Sequence, residues 1–197
     1  MAPYKISFFL LLFVIASGSL SFAKEEVLRA ARTQQITNLK PDTLKFLGEG
    51  SFWYLGVKIY QAAFYLDPSI SDPRQALTDA PKRLVIRYFR DIPRKALIQA
   101  AEKNIRNNPN ADFASLKTRI DRLHEKYKDL KKGDVYELVY SSGHTLLYAN
   151  GDLRERIEGA DFAAAYFGIW VSEYSISHKL RKALLGVEVN SITRGQR

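Results

Sequence analysis

The sequence predicts an α+β fold, and three observations carry that expectation. Two adjoining, aromatic-rich apolar stretches, residues 44–54 and 57–66, read as strands. An Asn150-Gly151 pair sits between two short β-like runs; this is a strong hairpin signal, because the tight turn needs positive φ at both positions. Phe113, Leu116, Ile120, Leu123 and Tyr127 recur at three- and four-residue steps, the spacing of one helix face.

The second stretch organises the rest. One of its faces is Val57, Ile59, Gln61, Ala63 and Tyr65, and the other is Lys58, Tyr60, Ala62, Phe64 and Leu66. A strand with one wet face alternates apolar with polar, whereas here both faces are apolar from Ala62 onward. This predicts cover on both sides and puts the centre of the sheet here, with helices on one face and a pocket on the other.

Residues 1–23 read as a secretory signal peptide: Lys5 is the positive start, residues 6–15 are apolar apart from Ser7, and Ser21-Phe22-Ala23 offers small residues for cleavage. The apolar run is short for a bilayer span, so a retained N-terminal anchor is the second reading. Glu25 and Glu26 follow the expected cut. There is no cysteine, which excludes disulfides and thiol-linked lipid. An exported domain without disulfides relies on its core, and a mature chain of about 170 residues is long enough to build one. Residues 24–197 are therefore expected as a single domain in the periplasm. The net charge of +9 raises nucleic acid or an anionic membrane as partners. Export argues against nucleic acid. The excess lies in residues 117–132 and 179–197, mixed with opposite charges, which reads as solvated helix faces with weak attraction to anionic lipid.

In order, residues 24–40 carry no clear pattern and Pro41-Asp42 marks a break. Gly48 and Gly50 inside the first strand predict a bend or bulge. Asp67-Pro68 ends the second strand, and Asp72-Pro73 starts a short helix to about residue 78. Residues 82–89 form a strand with Leu84, Ile86 and Tyr88 on one face and Arg87 on the other. Asp91 caps a helix to about residue 107, with Ala96, Ala100, Ala101 and Ile105 near one side. After the 107–110 loop, a helix runs from about 112 to 130. Strands follow at 135–140, 144–149 and 152–157. Gly159-Ala160-Asp161 opens a helix carrying Phe162, Tyr166, Ile169 and Trp170, with Asp161 as its cap, and a last helix at 177–185 stops at Gly186.

Residues 48–66, residues 81–91, Asn150-Gly151, Ile157-Glu158-Gly159-Ala160-Asp161-Phe162, Ile169-Trp170 and residues 180–186 together resemble the chalcone isomerase family, specifically its bacterial exported chalcone-isomerase-like members. The resemblance spans about residues 44–186 and implies an open β-sheet of long strands with helices layered on one face and a ligand cleft between the layers. It transfers activity poorly. The plant enzymes use an arginine, a threonine, a tyrosine, a lysine and an asparagine. Here the matching positions fall at Phe52, near Tyr60, and near Leu97, Ala100 and Asn104 respectively. Phenylalanine can neither hold a phenolate nor neutralise charge at the reacting centre, so the plant reaction is not expected.

Other members of the wider family resemble fatty-acid binding proteins. The expectation is an exported, non-catalytic protein holding a hydrophobic or fatty-acid-like small molecule. Phe52, Trp53, Tyr60 and Tyr65 are the cleft candidates, with Asn104 matched by the resemblance and Arg87, or alternatively Arg90, standing in for a missing cationic anchor. The alternatives are an isomerase or lyase using Tyr60 and Asn104, and an envelope interaction protein using the basic 112–130 helix. No cofactor is expected. His124, His144 and His178 have no ligand spacing, so no metal is expected either. Ser141-Ser142-Gly143-His144 reads as a turn rather than a nucleophile elbow, and Gly48-Glu49-Gly50 lacks the rest of a phosphate loop. Glu158 and Asp161 suit a helix entry, where the dipole favours negative charge.

Overall fold

The computed structural model describes residues 43–187. The expected signal peptide, the 24–40 stretch, the Pro41-Asp42 break and the tail beyond Val187 lie outside the described residues. Six strands, β1 (Lys45–Tyr54), β2 (Val57–Leu66), β3 (Lys82–Tyr88), β4 (Val135–Ser141), β5 (His144–Ala149) and β6 (Asp152–Glu158), pair in sequence order into one open antiparallel sheet. Four helices, α1 (Arg94–Asn107), α2 (Phe113–Glu125), α3 (Ala160–Val171) and α4 (His178–Leu184), complete the α+β fold.

Three of the connections are two-residue turns with positive φ at both positions: Leu55-Gly56, Ser142-Gly143 and the expected Asn150-Gly151. That geometry matches the twist of the strands it joins. Asn150 adds side-chain bonds of its own, accepting from the Val135 amide at 2.8 Å and donating to Asp134 at 3.0 Å.

Among the described residues the helices cover one face of the sheet. Tyr60, Ala62, Phe64 and Leu66 of β2 are buried, as are Leu84, Ile86 and Tyr88 of β3 and Tyr136, Leu138 and Tyr140 of β4. Gln61, Ala63 and Tyr65, on the other face of β2, are half-buried, whereas Ile59, at the irregularity in the β1–β2 register, packs against the core. Among the described residues no second layer meets that face, so the expected two-sided cover is corrected there, and these side chains shield one another within the sheet surface. Tyr65, for example, sits edge-on to Phe46 at 5.5 Å. The sheet's midline falls between β3 and β4, not under β2.

On the buried face α3 is the central helix. Nine of its twelve residues are buried, so it has no wet side of its own. It packs against α1, α4 and β5, while α4 lies on β1 and β2 and α2 on β6. Phe64 and Phe167 meet edge to face at 6.5 Å between sheet and α3, and each fully buried side chain of this size contributes about 2 kcal/mol. Lys82 is the charged exception on the inner face: it is fully buried, donates to the Thr78 carbonyl at 2.7 Å and lies 4.5 Å from the Tyr140 ring centre.

Several helix starts differ from expectation. Asp91 does not cap α1, which begins at Arg94 after Pro93; its carboxylate instead takes the Lys132 amide and the Lys131 ammonium, each at 2.9 Å. Asp161 does not cap α3, which starts from Gly159 at φ 107; its carboxylate pairs with Arg119 at 2.5 Å. The helix expected at 72–78 is a single turn, Pro73–Gln75, capped by Asp72 as read. The second long helix ends at Glu125, five residues early, with Tyr127 and Leu130 still buried beyond it.

Candidate functional site

The sheet register sets one row of aromatic side chains across the first three strands: Phe52 pairs with Tyr60, and Tyr60 with Tyr88. The Phe52 and Tyr60 rings stack at 5.1 Å, and Tyr88 meets Tyr60 edge-on at 5.7 Å and Tyr136 at 6.0 Å. Opposite this floor, α1 presents Ala96, Leu97, Ala100 and Ala101, and α3 presents Ile169 and Trp170. Alanines facing an aromatic floor leave volume that larger side chains would fill. The result is a cavity of about 160 Å³ between sheet and helices. Ala96 and Ala100 are exposed and Phe52 is half-buried, so the mouth lies between β1 and α1.

The walls are apolar except for tyrosine hydroxyls and the Trp170 indole; none of the lining side chains is charged. Trp170 Nε1 donates to the Tyr60 hydroxyl at 3.1 Å. The Tyr127 hydroxyl bonds that of Tyr166 at 2.6 Å, and Tyr166 in turn meets His124 Nε2 at 3.0 Å. The Tyr136 oxygen accepts from the Lys128 amide at 3.4 Å. Among the described residues no hydrogen bond reaches the hydroxyl of Tyr88, which is 6% exposed. Burial pushes the phenols of Tyr60, Tyr88 and Tyr127 upward, and the neighbouring tyrosines raise Tyr88 further. These groups are therefore neutral hydroxyls at physiological pH, suited to hydrogen bonding and not to proton abstraction.

Of the six residues that the sequence set at the cleft, Phe52 and Tyr60 stand on its wall. The other four do not line it. Trp53 is 56% exposed next to Phe52 on β1. Tyr65 belongs to the opposite face of β2, with the Arg83 guanidinium 5.6 Å from its ring. Arg87 is exposed on that same outer face. Asn104 turns back on its own helix, donating to the Ala100 carbonyl at 2.9 Å, so Tyr60 and Asn104 do not face a common substrate volume. Leu97 and Ala100, by contrast, do line the cavity. Sequence reading missed Tyr88, Tyr127, Tyr136 and Trp170 as wall residues. Tyr88 carried a usable signal, since it shares a strand face with Leu84 and Ile86.

No group of histidine or acidic side chains among the described residues could hold a metal ion. His144 Nδ1 donates to the Ser142 carbonyl at 2.8 Å. The basic side chains of α2 are engaged on the protein itself: Lys117 pairs with Asp121 at 2.5 Å, Arg119 with Asp161, and Arg122 donates to the Arg156 carbonyl at 2.7 Å. Among the described residues no helix is long and apolar enough to cross a membrane.

Comparison with known proteins adds family and fold. A family model described as chalcone isomerase-like matches residues 25–186. Among solved structures, a fatty-acid binding protein of Arabidopsis thaliana superimposes with a TM-score of 0.57 at 12% identity, covering 74% of this chain and 88% of that one. At that identity the likeness is one of fold. No curated protein sequence matches the chain.

Proposed function

The chain belongs to the chalcone isomerase-like family, and from that premise we propose that it is a non-catalytic member that holds a hydrophobic or amphipathic small molecule between sheet and helices. The observation that carries this reading is the cavity itself. It lies where the resemblance places the plant enzyme's reacting groups, and Phe52, Leu97 and Ala100 occupy three of those positions with side chains that cannot transfer a proton. The fold shared with a fatty-acid binding protein supports the same reading.

Size narrows the ligand. A closed apolar cavity of about 150 Å³ accommodates a benzene ring, so the 160 Å³ here takes one ring or a few carbons of an acyl chain. A longer chain would leave through the mouth beside Ala96 and Ala100. Each methylene buried contributes about 0.8 kcal/mol. Native mass spectrometry and organic extraction of the purified protein test the proposal, with Ala101→Phe as the comparison. Ala101 lines the cavity and is buried, so a phenyl ring there fills the space. Co-purifying ligand is expected on the native chain and absent from the variant; ligand retained equally by both would place binding elsewhere.

The proposal includes export. Lys5, the apolar run at 6–15 and Ser21-Phe22-Ala23 support it. Cell fractionation and N-terminal sequencing should find a periplasmic protein beginning at Lys24; an intact Met1 in the cytosolic fraction would refute it.

A further inference from the structure

We propose that the cavity selects an uncharged amphiphile, a medium-chain alcohol, aldehyde, ketone or small phenol, and that the Tyr88 hydroxyl is the group that meets its polar end. This rests on reading the cavity as a ligand site and adds the chemical class.

The first support is hydrogen-bond accounting. Tyr60 accepts from Trp170 and Tyr136 from the Lys128 amide, each with its own O–H still to donate, and Tyr127 is engaged with Tyr166, so Tyr88 is the one of the four wall tyrosines whose hydroxyl makes no bond of either kind among the described residues. Tyr88 stands between Tyr60 and Tyr136 on the floor, is 6% exposed, and has no hydrogen-bond partner for its hydroxyl among the described residues. The Tyr88 oxygen is not among the fully buried polar atoms that lack a partner, so it opens onto the cavity, where a ligand's polar end can reach it and add a hydrogen bond that the walls do not supply. A phenol both donates and accepts, so a carbonyl oxygen or an alcohol satisfies it equally.

The second support is charge. No lysine, arginine or histidine lines the cavity. Arg87, the candidate cation, is exposed on the far side of the sheet. A carboxylate entering these walls would lose its hydration to neutral hydroxyls alone, a poor exchange for an ion. The same chain ending in an alcohol or ketone has no such penalty. The structure thus favours a neutral head group where a fatty-acid site would want a guanidinium.

The test is calorimetric titration of the full mature chain with 1-octanol, 2-octanone and octanoate at neutral pH, and with octanoic acid at about pH 4, below the carboxylic pKa. The native chain should bind octanol and octanone at least about tenfold more tightly than octanoate, and octanoate should gain most of that difference at the lower pH. Tyr88→Phe should weaken octanol about fivefold without lowering the melting temperature, because the hydroxyl it removes has no partner in the empty protein. Octanoate binding as tightly as octanol at neutral pH would overturn the charge argument, and unchanged octanol affinity in Tyr88→Phe would overturn the anchor. If none of the three compounds binds at either pH, the ligand-site reading itself falls.

Discussion

Trp170 Nε1 donates to the Tyr60 hydroxyl at 3.1 Å, tying α3 to β2 across the cavity. Both groups are buried, and the same tyrosine stacks on Phe52. At the place where the resemblance sets a catalytic threonine, this chain has built a strut between its layers.

Removing that strut from one side should be costly. In Tyr60→Phe the indole N–H stays buried with no acceptor, a loss of about 1–3 kcal/mol. Urea unfolding should show a lower midpoint with an unchanged slope, and a double-mutant cycle with Trp170→Phe should return a coupling of about 1 kcal/mol. A coupling of zero would mean the bond is not made in solution.

Much of the fold is legible because it depends on local periodicity. The period-two runs located all six strands, and Asn150-Gly151 located one hairpin. The site was less legible, for reasons that individual residues make clear. Tyr60 and Tyr65 lie five apart on a strand and must face opposite sides, so strand parity alone separates the wall residue from the outer one. Phe52 and Trp53 divide the same way. The cavity arises from what α1 lacks: Ala96, Ala100 and Ala101 read as close packing until the aromatic floor opposite them is known. Asp91 and Asp161 look like helix caps by position, but each serves a cation remote in sequence, Lys131 and Arg119 respectively, which no local pattern encodes.

Gly48 is fixed by the approach of α4 to β1. A Cβ there would overlap the carbonyl oxygen of Ala183, which is backbone and cannot rotate away, whereas at Gly50 it would come within 2.8 Å of Ala183 Cβ and 2.9 Å of Leu180 Cδ1. Gly48→Ala should therefore lever α4 off the strand and cost about 3 kcal/mol, with Gly50→Ala milder at about 1 kcal/mol. Denaturant titration of both checks the order. Equal stability of Gly48→Ala and the native chain would show that α4 does not sit this close.

His124 should make the protein less stable in acid. It is buried, and burial chiefly, with Arg94 and Lys117 adding and Asp121 opposing, lowers its pKa from 6.5 to about 4; its Nδ1 is 3.9 Å from Glu102. Between these values the unfolded chain binds the proton and the folded one does not, so stability falls as pH drops through 6.5 and levels off below about 4. The full effect is about 3 kcal/mol. Imidazole resonances followed by NMR should show His124 titrating near its lowered value; an ordinary midpoint would refute the assignment.

Lys82 acts in the same direction at the alkaline end. Burial lowers its pKa from 10.5 to about 8, with Asp79 opposing. Between those values the unfolded chain again holds the extra proton, so stability rises with pH by up to about 3 kcal/mol. The buried phenols reverse the trend: Tyr60, Tyr88 and Tyr166 are raised above 10.0, so above that pH the unfolded chain loses protons that the folded one keeps. Thermal melts should peak at about pH 9 to 10, and Lys82→Met should flatten the rising limb. A maximum near neutrality in the native chain would contradict this.

Phe52→Arg tests how far the cavity's charge decides its ligand. Phe52 is half-buried at the mouth and stacks on Tyr60, so an arginine can lay its methylenes over the same ring and hold its guanidinium in water. Stability should change by less than about 1 kcal/mol, since no fully buried side chain is replaced. The guanidinium fork then holds a carboxylate at the mouth with its tail inward, the reverse of the head-inward pose proposed for a neutral ligand on Tyr88. Octanoate affinity should rise about tenfold over the native chain, octanol affinity should stay nearly constant, and added salt should erase part of the gain because the pair lies at the solvent boundary. Turnover of a chalcone is not expected from this change alone, because Leu97 and Ala100 still replace the tyrosine and lysine. Octanoate affinity unchanged in Phe52→Arg would mean that the mouth lies elsewhere on the molecule.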